Sequence, residues 1–191
     1  QEGLATRQGR QDIPFSLFKQ LVLPAKDGNF YPVFCFKTKN GDLGYAPSAS
    51  GSGEMETTIN AFLQFFQAGE ASLLKPSVGG KFLAVLKSEA AGYDPEKEDW
   101  YSFGRAMSPG QYTLAMVLTT PDMKKMSVAY CDVSLPAAEA NQAALWLTEP
   151  LIVKTLEQVE SDQRLTIHRG YLVWGAMKVV ANMTGGIASG E

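Results

Sequence analysis

The sequence contains one histidine, His168, which is the first residue to consider for catalysis or metal binding. Zinc sites take several ligands, and a Ser-His-Asp triad in this chain would have to use this single imidazole. The neighbours Thr166, Ile167 and Arg169 have the pattern of an ordinary strand with alternating faces. We therefore expect His168 to be a structural or surface residue. The sequence predicts no catalytic residues and no enzyme activity.

Two further segments contain residue types that bind cations or phosphates. The loop 93–99 holds four carboxylates, and loops between strands bind calcium in this way. Its spacing does not match an EF-hand, however, and Lys97 would oppose a cation. The run 79–81, Gly-Gly-Lys, begins like a phosphate-binding loop, but Phe82 follows where that motif has Ser or Thr. We expect a solvated acidic loop, no metal site and no cofactor.

The two cysteines, Cys35 and Cys131, lie in apolar β-like runs that are far apart in the sequence. They show no CxxC spacing, so nothing indicates a metal or redox motif. Two buried thiols that never meet are the simpler interpretation. The alternative is a disulfide between an early and a late strand, which would require a compartment outside the reducing cytosol.

Composition excludes some functions and suggests a compartment. The net charge is −3, and the densest basic point is the pair Lys124-Lys125, so no clustered positive face exists for nucleic acid. No apolar run approaches the ~18 residues of a membrane span. The chain opens at Gln1 without a methionine, which fits a mature N-terminus after removal of a signal peptide as well as a trimmed chain. We expect an extracytoplasmic protein, periplasmic, on the cell surface or secreted.

The elements that position these residues are predicted to be β-strands. Residues 30–36 form an aromatic and β-branched run between two turn segments. Large side chains alternate along 112–118, and a hairpin connection leads to an antiparallel partner at 126–135. Helical spacing and alternation both fit the segment 55–68. Periodicity alone favours a helix there, but the surrounding β pattern favours a strand, and we predict a strand.

Turn and linker composition divides the chain into four parts. Residues 1–12 form a polar N-terminal arm, residues 13–136 a β-sandwich, and residues 137–144 a small, Ala-rich linker. Residues 145–191 resume the β pattern over about half the length that a sandwich domain needs. These last strands either add onto the first sandwich or begin a second sandwich that is incomplete.

Four segments of the chain resemble a known family: Tyr93-Asp94, 99–104, 109–116 and 134–136. They resemble the immunoglobulin-like repeats of exported bacterial proteins, notably of Acidobacteria, that accompany GWxTD or von Willebrand A-related domains. The shared pattern is a PG-x-Y-x-L turn and strand, a hairpin, and a final strand that ends at proline. The resemblance covers about 13–136 and extends more weakly to 182, and the GWxTD signature itself is absent.

The resemblance implies an extracytoplasmic immunoglobulin-like β-sandwich with a binding or scaffolding role and no catalytic residues to carry over. It also supports the strand prediction for 55–68. The fold class predicted for the whole chain is therefore all-β, an immunoglobulin-like sandwich followed by a smaller β-rich C-terminal extension.

The expected function is binding without chemistry. The aromatic residues Trp146, Tyr171 and Trp174 lie in the C-terminal part, where the core looks incomplete, and large aromatics dominate protein interfaces. The leading hypothesis is a structural or protein-interaction subunit that docks through strand edges and aromatic residues. Its partner would be another protein, further domains of the same protein, or a second copy in a homo-oligomer. The alternative is a module that binds a small ligand or a carbohydrate on an aromatic face.

Overall fold

A computed structural model of the chain describes residues 6–67, 78–136, 150–159 and 166–183. These residues form an all-β, sandwich-like fold with several antiparallel sheets, which confirms the predicted fold class. Two single-turn 3-10 helices, Gly41–Leu43 and Ala90–Gly92, interrupt the strands. The strands of the described residues are β1 Ser16–Pro24, β2 Phe30–Lys39, β3 Ala46–Pro47, β4 Glu54–Gln67, β5 Val78–Glu89, β6 Glu98–Gly104, β7 Gly110–Thr119, β8 Met126–Leu135, β9 Ile152–Gln158, β10 His168–Arg169, β11 Leu172–Trp174 and β12 Met177–Asn182.

The strands pair into three sheets. Sheet I has the order β1-β2-β6-β10, and sheet II has the order β5-β4-β7-β8, with β3 pairing beside β7 on the same edge of β4. Sheet III has the order β11-β12-β9. The series β1-β2-β6 and β5-β4-β7-β8 match the A-B-E and C′-C-F-G orders of immunoglobulin sandwiches. The position of strand D is taken by β10, which comes from the C-terminal part of the chain and pairs with β6.

The core between sheets I and II is built from aromatic residues at every second position. Phe34 stacks on Phe103 with ring centroids 5.3 Å apart, and Phe36 stacks on Tyr101 at 5.2 Å. Phe65 of β4 meets Phe34 from the opposite sheet at 5.8 Å. All five side chains are fully buried. The period of two in β2 and β6 therefore places these rings in one layer.

The Pro-Gly-x-Tyr motif forms a tyrosine corner at the start of β7. The hydroxyl of Tyr112 donates a hydrogen bond to the carbonyl oxygen of Ser108, at 3.1 Å. A Cβ on Gly110 would lie 3.1 Å from the Tyr112 ring, so the glycine leaves room for the ring to fold back. This corner is a hallmark of immunoglobulin-like sandwiches and explains why the motif sits where the chain crosses between the sheets.

Segment 55–68 lies almost entirely in β4, which spans Glu54–Gln67 and confirms the strand prediction. The inner face of β4 carries Ile59, Ala61, Leu63 and Phe65. The outer face also carries an aromatic residue, Phe66, which is buried. Apolar residues on both faces produce spacings of three and four that imitate a helix, so periodicity alone was misleading here.

The second face of sheet I is covered by sheet III. Val33 and Cys35 of β2 point away from sheet II and pack with the residues of a second apolar cluster. Further members of this cluster are Leu21, Leu23, Leu172, Val179, Ala181 and Met183. Of the described strands of 145–191, β10 therefore extends sheet I, and β9, β11 and β12 add onto the sandwich as a third layer. The predicted linker 137–144 lies outside the described residues.

Residues 10–12 of the predicted N-terminal arm run beside the outer edge of β8. Gln11 forms an isolated β-bridge with Ser127, the amide of Asp12 donates to the carbonyl of Met126 at 3.1 Å, and the amide of Val128 donates to Arg10 at 2.9 Å. This part of the arm thus protects an edge of sheet II that would otherwise expose unpaired backbone groups.

Candidate functional site

His168 is a buried core residue. Its side chain is 3% exposed, and its ring lies 4.9 Å from the ring of Tyr171, with Nδ1 3.3 Å from the Tyr171 hydroxyl. Burial lowers the pKa of His168 to about 4, so the imidazole is neutral at physiological pH. Within the described ranges, no group of three His, Cys, Asp or Glu residues is arranged to hold a metal ion. No helix of the described residues is long and apolar enough to cross a membrane.

The carboxylates of the acidic loop are engaged in local contacts. Lys39 pairs with Glu96 at 2.7 Å, and Lys97 pairs with Asp99 at 3.3 Å. Asp99 also accepts hydrogen bonds from Arg169, which joins β10 to β6. These ion pairs give Glu96 and Asp99 a structural role in the sandwich.

The structure does not bring the two cysteines together. Both thiols are free. Cys35 is fully buried in the cluster between sheets I and III, whereas Cys131 packs against the cluster between sheets I and II. Sheet I separates the two clusters, so a Cys35–Cys131 disulfide does not fit this arrangement. Burial raises the pKa of Cys35 to about 12 and that of Cys131 to about 11, which keeps both as thiols.

The three predicted interface aromatics have different surroundings. Trp146 lies outside the described residues. Tyr171 is half-buried, and the Nζ of Lys178 lies 5.0 Å from the centroid of its ring. Trp174 is 42% exposed, and its indole N–H donates to the carbonyl of Pro24 at 3.1 Å. Of these residues, Trp174 is the one that lines a large cleft.

This cleft, called the Trp174 cleft below, has a volume of about 880 Å³. That volume lies within the range of ligand pockets, about 300–1,000 Å³. Three aromatic residues line it, each from a different sheet: Tyr31 from sheet I, Phe82 from sheet II and Trp174 from sheet III. The other lining residues are Pro24, Ala25, Lys26, Gly80, Lys81, Gly104, Arg105, Ala106 and Gly175.

At two glycines of the cleft, neighbouring side chains pack directly on the backbone. A Cβ on Gly104 would lie 2.3 Å from Cε1 of Tyr31, so the tyrosine ring rests directly on the backbone of β6. A Cβ on Gly80 would lie 3.0 Å from the Phe82 ring and 3.3 Å from the guanidinium of Arg105. That guanidinium donates a hydrogen bond to the carbonyl of Gly79. The ring of Tyr31 and the guanidinium of Arg105 are therefore held in place by contacts with the backbone.

The described lining residues of the cleft include positive charges. Among them, Lys26, Lys81 and Arg105 are cationic, and none is Asp or Glu. In the part of the chain that the structure describes, none of these three side chains forms an ion pair. The Nζ of Lys81 lies 5.6 Å from the ring centroid of Phe62. This is an electropositive, partly aromatic surface in a protein of net negative charge.

A second exposed feature is β9, at one edge of sheet III. All seven of its residues are exposed, including Ile152 at 48%, Val153 at 42% and Leu156 at 59%. Val153 is paired with Ala181, and Leu156 is paired with Val179. Because cross-strand partners point to the same face of a sheet, Val153 and Leu156 continue the apolar face that packs on sheet I.

Sequence reasoning missed most of the cleft. Tyr31 lies in the run 30–36 that is predicted as a strand, and Lys81 and Phe82 were considered for a phosphate loop. One usable signal was glycine at the end of a strand pattern, as at Gly104, because such a glycine often marks a close approach to backbone. The three sheets that bring these residues together are not adjacent in sequence, so spacing could not reveal the cleft.

No family model, no curated protein and no solved structure matches this chain. The resemblance to exported immunoglobulin-like repeats therefore stays a prediction.

Proposed function

We propose that this protein is a non-catalytic, extracytoplasmic interaction subunit that binds another polypeptide at β9. The observation that carries the proposal is the exposure of every β9 side chain, three of them apolar. Among the described strands, β9 pairs only with β12, and a strand from another polypeptide would pair with the backbone groups of its other edge. An added strand from a partner would satisfy those groups and cover the apolar side chains.

The apolar face makes β9 a better docking edge than the others. Val153 and Leu156 extend a face whose neighbours, Val179 and Ala181, are already buried against sheet I. A partner would therefore continue an existing core. Full burial of one such side chain stabilises by about 1.5–3 kcal/mol, so covering these two half-exposed ones contributes roughly 2 kcal/mol before backbone hydrogen bonds are counted.

A second long edge with exposed apolar residues, β5, is less suited to docking. Leu83 and Val85 are 58% and 53% exposed, but Lys81 and Lys87 flank them on the same face. Lysine on an edge strand disfavours pairing with another chain. The edge of β8 is covered in part by residues 10–12.

Self-association of the isolated chain tests the proposal, because a second copy can occupy β9 when no partner is present. We expect sedimentation equilibrium to show reversible association at a protein concentration of about 1 mM, which corresponds to roughly 4 kcal/mol. The double substitution Val153→Lys/Leu156→Lys should abolish the association. The matched control is Leu83→Lys/Val85→Lys, which adds the same charge at equally exposed positions of β5 and should leave association intact.

Two results would contradict the docking proposal. The first is a wild-type chain that stays monomeric at that concentration. The second is loss of association in the β5 variant but not in the β9 variant. Melting curves of both variants establish that each still folds.

The extracytoplasmic part of the proposal is supported by the resemblance to exported repeats. Fractionation of the source cells, followed by detection with an antibody against the chain, tests it separately. Recovery in the cytosolic fraction alone would contradict this part and leave the docking at β9 unaffected.

A further inference from the structure

We propose that the Trp174 cleft binds a small organic anion with a flat apolar face. The flat face stacks on the indole of Trp174, and the anionic group contacts Lys26 and Arg105, whereas the ammonium of Lys81 lies over Phe62 on the outer face of β5. This site differs from the docking edge, since no β9 residue lines the cleft.

Trp174 has the properties of a stacking platform. The hydrogen bond from its indole N–H to Pro24 satisfies its polar atom and fixes the ring against the β1–β2 turn. The ring is nevertheless 42% exposed. The hydrogen bond orders the Trp174 ring before a ligand binds, so binding costs less conformational entropy.

The charge of the cleft indicates the sign of the ligand. Among the described lining residues, Lys26 and Arg105 carry the positive charge that faces the cavity and none is a carboxylate, and a concave surface lined by one sign of charge attracts ligands of the opposite sign. Asp27 follows Lys26 in sequence but is not among the lining residues. Arg105 is held in place by the carbonyl of Gly79 and keeps further N–H donors for a carboxylate or sulfate.

The size and shape of the cleft limit the ligand to a small molecule. Its volume of about 880 Å³ is adequate for a drug-sized compound or a short oligosaccharide. Two kinds of molecule share the required chemistry: an acidic sugar, whose C–H face stacks on indole, and an aromatic carboxylate. Both combine a flat apolar face with an anionic group, and the experiment below distinguishes them.

Isothermal titration calorimetry with four probes tests the inference. The acidic probes are a galacturonic acid trimer and naphthoate, and their uncharged counterparts are a galactose trimer and naphthylmethanol. We expect at least one acidic probe to bind with one-to-one stoichiometry and at least about tenfold more tightly than its uncharged counterpart, an advantage that added salt reduces. The acidic probe that binds shows whether the ligand is an acidic sugar or an aromatic carboxylate.

Three variants locate the binding. Trp174→Ala should abolish it, and Lys26→Gln/Arg105→Gln should weaken it by about tenfold or more, because charge-assisted contacts are lost. The matched control, Lys124→Gln/Lys125→Gln, removes the same charge outside the cleft and should bind as the wild type does. Lys26 is exposed and Arg105 is half-buried, so their variant tests the site even if Trp174→Ala fails to fold.

The inference is overturned if neither acid binds more tightly than its uncharged counterpart. Equal weakening in the two double variants, or retained binding in folded Trp174→Ala, would also overturn it. The β9 variant Val153→Lys/Leu156→Lys should bind the acidic probe normally, so failure at one surface is distinguishable from failure at the other.

Discussion

Acidification should destabilise this protein through His168. The imidazole is 3% exposed, and burial lowers its pKa to about 4, whereas the unfolded chain has the ordinary value of about 6.5. Because the folded pKa is the lower one, the unfolded chain takes up the proton first as the pH falls. Protonation of His168 therefore leaves the free energy of unfolding unchanged above about pH 6.5 and lowers it progressively between about pH 6.5 and pH 4. Within this window the free energy of unfolding falls by about 1.4 kcal/mol per pH unit, so it is about 3 kcal/mol lower at pH 4 than at pH 6.5.

The variant His168→Gln isolates this effect from the titration of carboxylates. Urea unfolding at a series of pH values gives the free energy of unfolding of both proteins. At pH 7 the variant should be less stable by about 1–2 kcal/mol, because it loses the packing of the imidazole against Tyr171. Near pH 4 the difference should shrink by about 3 kcal/mol, which makes the variant the more stable protein.

A direct measurement is also available, since the chain has one histidine. Its ring-proton NMR signal should not titrate between pH 7 and pH 5 in the folded protein. A titration midpoint near pH 6.5, or a stability difference that stays constant within about 0.5 kcal/mol from pH 7 to pH 4, would refute the burial of a neutral imidazole.

Three further predictions follow from the packing. Gly104→Ala should lower the free energy of unfolding by about 1–3 kcal/mol, because the added Cβ would lie 2.3 Å from the Tyr31 ring. Gly92→Ala, with open space around the glycine, should lower it by less. Equal effects of the two substitutions in urea unfolding would contradict this prediction. Tyr112→Phe should cost about 1 kcal/mol, because it removes the hydrogen bond to Ser108, and an unchanged melting curve would exclude that role. Both thiols should react with a thiol reagent only after unfolding, without added reductant, whereas a bonded pair would require reduction first.

The sandwich could be predicted from the sequence because its core follows local alternation. The period of two in 112–118 and the turn before it define β7 and the tyrosine corner without knowledge of the partner strands. The segment 55–68 was harder, since both faces of β4 carry apolar residues and its spacing also fits a helix. The neighbouring strands resolved that ambiguity, which shows that the tertiary context overrides periodicity when a strand is buried on both sides.

The Trp174 cleft could be anticipated only in part. Aromatic composition indicated that a tryptophan of the C-terminal part lies on the surface, and Trp174 does so. Nothing local indicated that Tyr31, Phe82 and Arg105 surround the same cavity, because they belong to strands paired in different sheets or to the turn after β6. The missing information was the position of sheet III on sheet I, which depends on the complementary faces of two apolar clusters.

Sheet III links the stability of the sandwich to both proposed surfaces. Val33 and Cys35 make the outer face of β2 apolar, so sheet I needs a cover, and sheet III supplies it through Val179 and Ala181. The same three-stranded sheet presents β9 at one edge and Trp174 at the turn that joins β11 to β12. The cations of the cleft, in contrast, come from the sandwich itself. Deletion of the C-terminal strands should therefore remove the docking edge and the stacking platform, leave the positive charge in place, and expose the apolar face around Val33 and Cys35 to solvent.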